Sequence, residues 1–348
     1  MIREETADAR AVTFSIPKDL AEAYAFIPGQ YVTIRIDLDG EDVRRSYSIC
    51  TTPWDNGISV GIRCIAGGSF SSFARSLKEG DVLDVMTPQG RFLAPIGGVH
   101  DYLLLAAGSG ITPMMSIASS VLAGEPESRV TLLYANRTSD SIMFRDRLDA
   151  LKDRHITRFS VTHILDEERQ EVELLNGRLG RDKLHVFAQA GVIQPDVHDG
   201  VYICGPQPMM EVASEAMREL GVGEKKIHFE LFTPPGGPPP IASASEAATE
   251  AAADGVTVEV ILDGARRTFP LEEAGETVLD AAGRAGLDLP YSCAAGMCCT
   301  CRCKVIEGTG EMIQNYSLEP WELEAGFTLA CQTRPTSKKL VLDFDAVV

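Results

Sequence analysis

Tyr102-Leu103-Leu104-Leu105-Ala106-Ala107-Gly108-Ser109-Gly110-Ile111-Thr112-Pro113 begins as six apolar residues in a row and turns through two glycines towards a proline. An unbroken apolar run of this kind suits a strand of a parallel sheet covered on both faces. The glycines let the chain pass close to a ligand, and Pro113 suits the first turn of a helix. The pattern is Gly-x-Gly-x-x-Pro rather than the usual dinucleotide fingerprint, so its meaning depends on its surroundings. Residues 130–134, 159–164, 201–204 and 227–229 read as further strands, with helical segments at 114–122, 144–151 and 209–220 between some of them. This alternation predicts a doubly wound α/β domain over residues 99–233.

Ligands of such sheets bind beyond the carboxyl ends of the strands. Cys204-Gly205-Pro206 repeats the strand-to-helix logic of Gly108 and Gly110, so the two loops are expected to flank one crevice that takes a nicotinamide nucleotide near Thr112. Cys204 reads equally well as a buried core cysteine. Asn136-Arg137-Thr138 follows another strand, and Arg137 suits a 2′-phosphate, which leans the expectation towards NADPH over NADH; an ordinary surface arginine is the competing reading.

Upstream, residues 11–95 show short alternating strands with turn punctuation, including 31–36 and 58–63, which predicts an antiparallel β-barrel over residues 1–98. One helix interrupts it, with Phe70, Phe73, Ala74 and Leu77 at helical spacing. Gly67-Gly68-Ser69-Phe70-Ser71 opens that helix, and a helix N-terminus preceded by glycines offers free N–H groups to a pyrophosphate. Arg45-Ser46-Tyr47-Ser48 lies on a barrel strand. Arg45 can add charge-assisted bonds, Tyr47 can pack along a flavin ring, and Ser48 can reach the flavin nitrogen that accepts hydride.

Downstream, residues 234–253 are rich in Pro, Gly, Ala and Ser and read as a linker. Residues 254–348 then read as a small α+β domain of the β-grasp type. It holds a hairpin turning at Asp263-Gly264, a helix at 278–285, and strands near Val305 and Leu340. Of the nine cysteines, five fall in one short loop. Cys293, Cys298 and Cys301 have the spacing Cys-x4-Cys-x2-Cys, and Cys331 lies downstream, the plant-type pattern for a [2Fe-2S] cluster. Structural zinc usually pairs two Cys-x2-Cys knuckles, and only Cys298 and Cys301 form one here. Cys299 and Cys303 are read as non-ligand neighbours.

A chain of 348 residues with a net charge of −18 is expected to hold two or three domains and to avoid nucleic acid, since its surface would repel a phosphate backbone. The charge fits a basic docking face on a protein partner. No apolar run approaches the ~20 residues of a membrane span, and Met1-Ile2-Arg3-Glu4-Glu5 lacks a signal-peptide core, which predicts a cytoplasmic protein with no membrane partner.

Together these runs make the chain resemble the ferredoxin-NADP reductase superfamily, in the branch with a C-terminal plant-type ferredoxin domain. Residues 44–50, 106–114, 136–139, 315–320 and 343–346 most resemble the reductase components of bacterial phenylacetyl-CoA epoxidases. The nucleotide and cluster motifs are also similar to those of 3-ketosteroid 9α-hydroxylase reductases. The resemblance implies FAD on Arg45, Tyr47, Ser48, Gly68 and Ser71, with Glu230 and Phe232 closing over the flavin. Leu231, between them, replaces an expected basic residue. It further implies that electrons pass from NAD(P)H through FAD and the cluster to the oxygenase of a multicomponent system. The expected partner is a phenylacetyl-CoA epoxidase, with a Rieske oxygenase as the alternative. A redox-sensing iron-sulfur protein is the reading from another class.

Overall fold

The computed structural model describes residues 1–65, 68–232, 243–273 and 275–346. It divides into two compact units, Met1–Phe232 and Thr233–Val348. Ala66, Gly67 and most of the Pro/Gly-rich linker lie outside the described residues, as does the Ser69 side chain.

The first unit starts with the barrel. Strands β1 (Ile2–Thr6), β2 (Ala9–Phe14), β3 (Tyr31–Leu38), β4 (Glu41–Ser48) and β5 (Ile58–Arg63) are followed by helix α1 (Ser69–Ser76) and strand β6 (Asp84–Val85). They form two three-stranded antiparallel sheets, β1-β2-β5 and β4-β3-β6. An Ile49–Val60 bridge beyond the end of β4 ties one to the other. Alternation does the sorting: Val32, Ile34, Ile36, Val60 and Ile62 enter a core that Phe70, Ala74 and Leu77 of α1 complete.

The α/β half runs β7 (Asp101–Ala107), α2 (Ile111–Gly124), β8 (Arg129–Asn136), α3 (Arg145–Arg154) and β9 (Phe159–Leu165). It continues through α4 (Arg181–Gln189), β10 (Gly200–Cys204), α5 (Gln207–Glu219) and β11 (Ile227–Glu230). The strand order is β11-β10-β7-β8-β9, all parallel. β7 explains why its sequence is apolar throughout. Leu104 and Ala106 face one core with α2, whereas Leu103 and Leu105 face another with α4 and α5. Helix α4 was not anticipated, although Leu184 and Phe187, both buried, carry its helical spacing.

The second unit begins with helix α6 (Glu246–Asp254), where a linker was expected. Its alanines are good helix formers, the Ser245 hydroxyl accepts from the Ala248 N–H at 3.1 Å, and Ala248, Ala251 and Ala252 are buried. Small side chains thus suffice for a helix that packs closely. The remaining elements are β12 (Val256–Leu262), β13 (Ala265–Leu271), α7 (Val278–Arg284), β14 (Arg302–Glu307) and β15 (Gly310–Met312). Then follow α8 (Pro320–Glu324), β16 (Phe327–Leu329), β17 (Thr333–Pro335) and β18 (Lys339–Asp343). The main sheet has order β13-β12-β18-β14-β16, and only the β12–β18 pair within it is parallel. At the predicted hairpin both Asp263 (φ 52°) and Gly264 (φ 72°) are left-handed, and the Asp345 carboxylate takes their N–H groups at 2.8 and 2.7 Å.

Two contacts set the crevice of the first unit. A Cβ on Gly110 would lie 2.1 Å from the Cys204 carbonyl oxygen, and one on Gly61 would lie 2.6 Å from Thr112 Cγ2. The first holds the two glycine loops together; the second holds the barrel against α2. Gly110→Ala should therefore destabilise the protein by about 2–4 kcal/mol, because backbone cannot move aside. Gly283→Ala, in open space on α7, should be neutral or stabilising by roughly 0.5 kcal/mol. Denaturant titration of both variants checks the pair.

Candidate functional site

On β4 neighbouring arginines diverge. Arg44 is buried and bound through two nitrogens to Asp42 at 3.1 and 2.8 Å. Arg45 is exposed, donates to the Arg44 carbonyl at 2.7 Å, and meets no carboxylate among the described residues. Its charge is available to an anion. The N-terminus of α1, capped at Gly68 without a side-chain bond, is the other anion-binding element. Ser71 Oγ accepts from the Ile65 N–H at 2.9 Å, which holds the chain before α1 and leaves the hydroxyl hydrogen to donate. The Ser46 hydroxyl is 3.1 Å from that of Thr33. The Tyr47 ring, 5.3 Å from Phe70, is half-buried, and burial pushes its phenol up. These residues fit a flavin dinucleotide: a polyanion seat beside an aromatic wall.

Chain segments far apart in sequence converge next to that wall. Ser48 Oγ donates to Glu230 Oε2 at 3.0 Å. Glu230 is the last residue of β11 and pairs in register with Cys204, the last residue of β10. Burial raises the Glu230 carboxyl to about 7, against the lowering effect of the Ser48 bond. Burial, and then the neighbouring Glu230 charge, push the Cys204 thiol well up, so Cys204 is a neutral thiol. Glu230 is thus the group able to hold or release a proton near neutrality. Phe232 is exposed.

The two glycine loops meet across the crevice. Gly108 is left-handed (φ 54°), and its carbonyl accepts from the Tyr134 hydroxyl at 3.0 Å. Thr112 is buried, with its hydroxyl bound to the Ser109 carbonyl at 3.0 Å. Gly205 packs so tightly that a Cβ would lie 3.0 Å from that of Ala107, and Pro206 caps α5. Asn136 is only 8% exposed, and its side chain hydrogen-bonds the buried Tyr134 phenol, partly offsetting the rise that burial gives it. Arg137 is exposed, with the Asp8 carboxylate 4.0 Å away. Gly61 and Asp8 were missed in the sequence, although a glycine inside a strand does signal close approach.

In the second unit the cysteine loop takes left-handed turns at Ala294 (φ 49°), Gly296 (φ 76°) and Cys299 (φ 57°). They aim backbone N–H groups inward: Ala295 and Cys298 each donate to Cys293 Sγ at 3.4 Å. The Gly296 carbonyl accepts from the Tyr316 N–H at 3.0 Å and the Ser317 hydroxyl at 3.1 Å, and Gln332 Nε2 donates to the Ala294 carbonyl at 3.0 Å. The thiols fall into two pairs, Cys293 with Cys298 and Cys301 with Cys331, and in each pair one sulfur is held as the acceptor of the other's hydrogen bond. None of the nine cysteines is in a disulfide. Among the described residues no three Cys, His, Asp or Glu side chains converge as they would on a single ion. Two thiol pairs suit two irons, each taking two thiolates, better than one tetrahedral zinc. Cys303 is buried in the core, where burial pushes its thiol up, and Cys299 Sγ bonds Ser317 Oγ at 3.0 Å.

The Glu230 carboxyl yields a pH prediction. Its folded pKa, about 7, lies above the ordinary 4.5. Its contribution to stability is therefore complete below pH 4.5 and lost as the pH rises to 7. Across that window the protein should lose on the order of 3 kcal/mol more stability than Glu230→Gln does. Denaturant titrations at several pH values check the difference.

Three family descriptions match the chain in order: an oxidoreductase FAD-binding domain over residues 2–93, an oxidoreductase NAD-binding domain over 104–215, and a 2Fe-2S iron-sulfur cluster binding domain over 260–336. The chain is 44% identical over 348 residues to one subunit of the 1,2-phenylacetyl-CoA epoxidase of Escherichia coli K12, covering 99% of this chain and 96% of that protein. It is 36% identical to the ferredoxin reductase component of the 3-ketosteroid-9-alpha-monooxygenase of Rhodococcus rhodochrous, covering 98% and 94%. Among solved structures, phthalate dioxygenase reductase shares the fold, with a TM-score of 0.59 at 23% identity over 99% of this chain and 96% of that one. Among the described residues no helix is long and apolar enough to cross a membrane. The chain belongs to the ferredoxin-NADP reductase superfamily, in the branch whose FAD-binding, NAD-binding and C-terminal 2Fe-2S domains make it an electron-transferring reductase component of a multicomponent oxygenase.

Proposed function

We propose that this reductase serves a phenylacetyl-CoA epoxidase, and that its cluster is held by Cys293, Cys298, Cys301 and Cys331. The observation that carries the electron-transfer part is the pairing of those four thiols in a loop whose N–H groups turn towards sulfur. The choice of oxygenase rests on likeness, 44% identity to the epoxidase protein against 36% to the ketosteroid reductase. The three matched segments support domain limits of 1–98 and 99–233, and with α6 reassigned from the linker the last domain runs from about residue 246 rather than 254 to 348. We place the protein in the cytoplasm, where thiols stay reduced.

Bound flavin and cluster supply the redox chemistry, turning a two-electron hydride donor into single electrons. The chain's own residues bind and orient. Arg45, Gly68 and Ser71 take the pyrophosphate, with Ser46 lining the same seat. Tyr47 supports the ring. Gly108, Gly110, Thr112, Asn136, Arg137, Gly205 and Pro206 shape the nucleotide crevice. Ser48, Cys204 and Glu230 stand where the nicotinamide and flavin rings would meet, with Glu230 holding or accepting a proton through Ser48, and Phe232 covers that end.

Purified protein should contain about two irons and two sulfides per chain and be bleached by reduced nicotinamide. Cys293→Ser and Cys331→Ser should lose the iron but keep the flavin, whereas Cys303→Ala should keep both. Mixed with an epoxidase and phenylacetyl-CoA, the protein should support product formation that weakens as salt is raised. Product only with a Rieske oxygenase would reassign the partner, and iron retained in both serine variants would reassign the ligands.

A further inference from the structure

Cys331 stands far along the chain from the other three cysteines of the cluster reading, so the fold has to fix it to their loop. Its neighbours hold the main chain on both sides. The Ala330 N–H donates to the Cys301 carbonyl at 3.0 Å, and the Ala330 carbonyl accepts from the Leu279 N–H at 3.2 Å. Gln332, the next residue, is pinned in the same way: its N–H donates to the Leu329 carbonyl at 2.8 Å, and its carbonyl accepts from the Ile313 N–H at 2.9 Å. Its side chain then turns into the cysteine loop, where Gly296 makes room. A Cβ on Gly296 would lie 3.2 Å from Gln332 Cγ.

There Gln332 Nε2 reaches three acceptors, the Ala294 carbonyl at 3.0 Å, the Cys331 carbonyl at 2.9 Å and Cys331 Sγ at 3.5 Å. An amide nitrogen carries two hydrogens, so one serves Ala294 and the other is shared between the carbonyl and the sulfur of Cys331. One side chain thus clips together two ligand segments 38 residues apart. Gln332 is 5% exposed and Cys331 4%, so little water competes for that sulfur and a donor there acts in a low dielectric. Cys293 takes the N–H groups of Ala295 and Cys298, which belong to the bends of the loop. Cys331 takes the Gly296 N–H and, in addition, this amide.

A donor at a ligating sulfur draws electron density from it. An added electron makes the cluster and its thiolates more negative, so the bond strengthens on reduction and favours the reduced state. We propose that Gln332 is a positioning residue for electron transfer, which clips Cys331 to the cysteine loop and, by donating to Cys331 Sγ, makes the cluster easier to reduce. The inference rests on the ligand assignment above and deepens it.

The test uses the full flavin- and cluster-loaded protein with Gln332→Leu and Gln332→Glu. Leucine keeps the bulk without the two hydrogens; glutamate keeps the shape and puts a carboxylate in place of the donor. Redox titration followed by EPR gives the cluster midpoint, and visible absorbance gives that of the flavin. At the wild-type midpoint the ratio of reduced to oxidised cluster should fall about fivefold in Gln332→Leu, a shift of about 40 mV for one electron. Gln332→Glu should fall further, and the flavin midpoint should stay in place in both. A second readout needs no variant to load: wild type carrying 15N in its glutamine side-chain amides should show a 15N coupling to the reduced cluster in pulsed EPR. A midpoint unchanged in both iron-loaded variants would overturn the proposal, as would the absence of that coupling in the wild type. Wild type isolated without iron would overturn it together with the ligand assignment.

Discussion

The crevice of the first unit depends on a backbone approach that only glycine allows. Gly110 sits against the Cys204 carbonyl, where any Cβ would be 2.1 Å from the oxygen. That contact brings the end of β7 onto the end of β10, and the pairing of β10 with β11 carries Glu230 to the same place. Gly61 does the corresponding work for the barrel, admitting Thr112 to its surface. With both seams closed, Ser48 of the barrel and Glu230 of the α/β half come within hydrogen-bond distance. A carboxyl buried by that closure stays protonated to higher pH than in water, so the packing of the fold sets the proton chemistry of the site.

The second unit solves a different problem with related means. Thiolates that hold a cluster need donors aimed at sulfur, and a regular helix or strand aims its N–H groups elsewhere. Left-handed residues at Ala294, Gly296 and Cys299 bend the loop so that N–H groups turn inwards, while Ser317, Tyr316 and Gln332 tie its carbonyls down from outside. Two of those bends fall on residues with a Cβ, a strained choice that the surrounding hydrogen bonds maintain.

Charge separates the two ends of the molecule's work. A net charge of −18 gives the chain an excess of carboxylates whose field acts on any charged partner. The same excess of carboxylates also reaches the nucleotide crevice, where Asp166, Glu167 and Glu168 stand by the loop after β8.

By itself the sequence determined the order of three domains and the parallel sheet, and it singled out four cysteines as candidate ligands, because each rests on local spacing: an unbroken apolar run, period-two alternation, cysteines at fixed intervals. Even the Asp263-Gly264 turn was legible, since left-handed φ values select those residue types. It misjudged α6, where helix propensity and close packing of alanines outweighed a composition typical of linkers. What only the tertiary structure decided is which distant groups meet: Ser48 with Glu230, Gly61 with Thr112, Ser139 with Glu168. Such pairs carry no mark in the chain, because burial and proximity belong to the packed fold, and the pKa of a carboxyl follows from them.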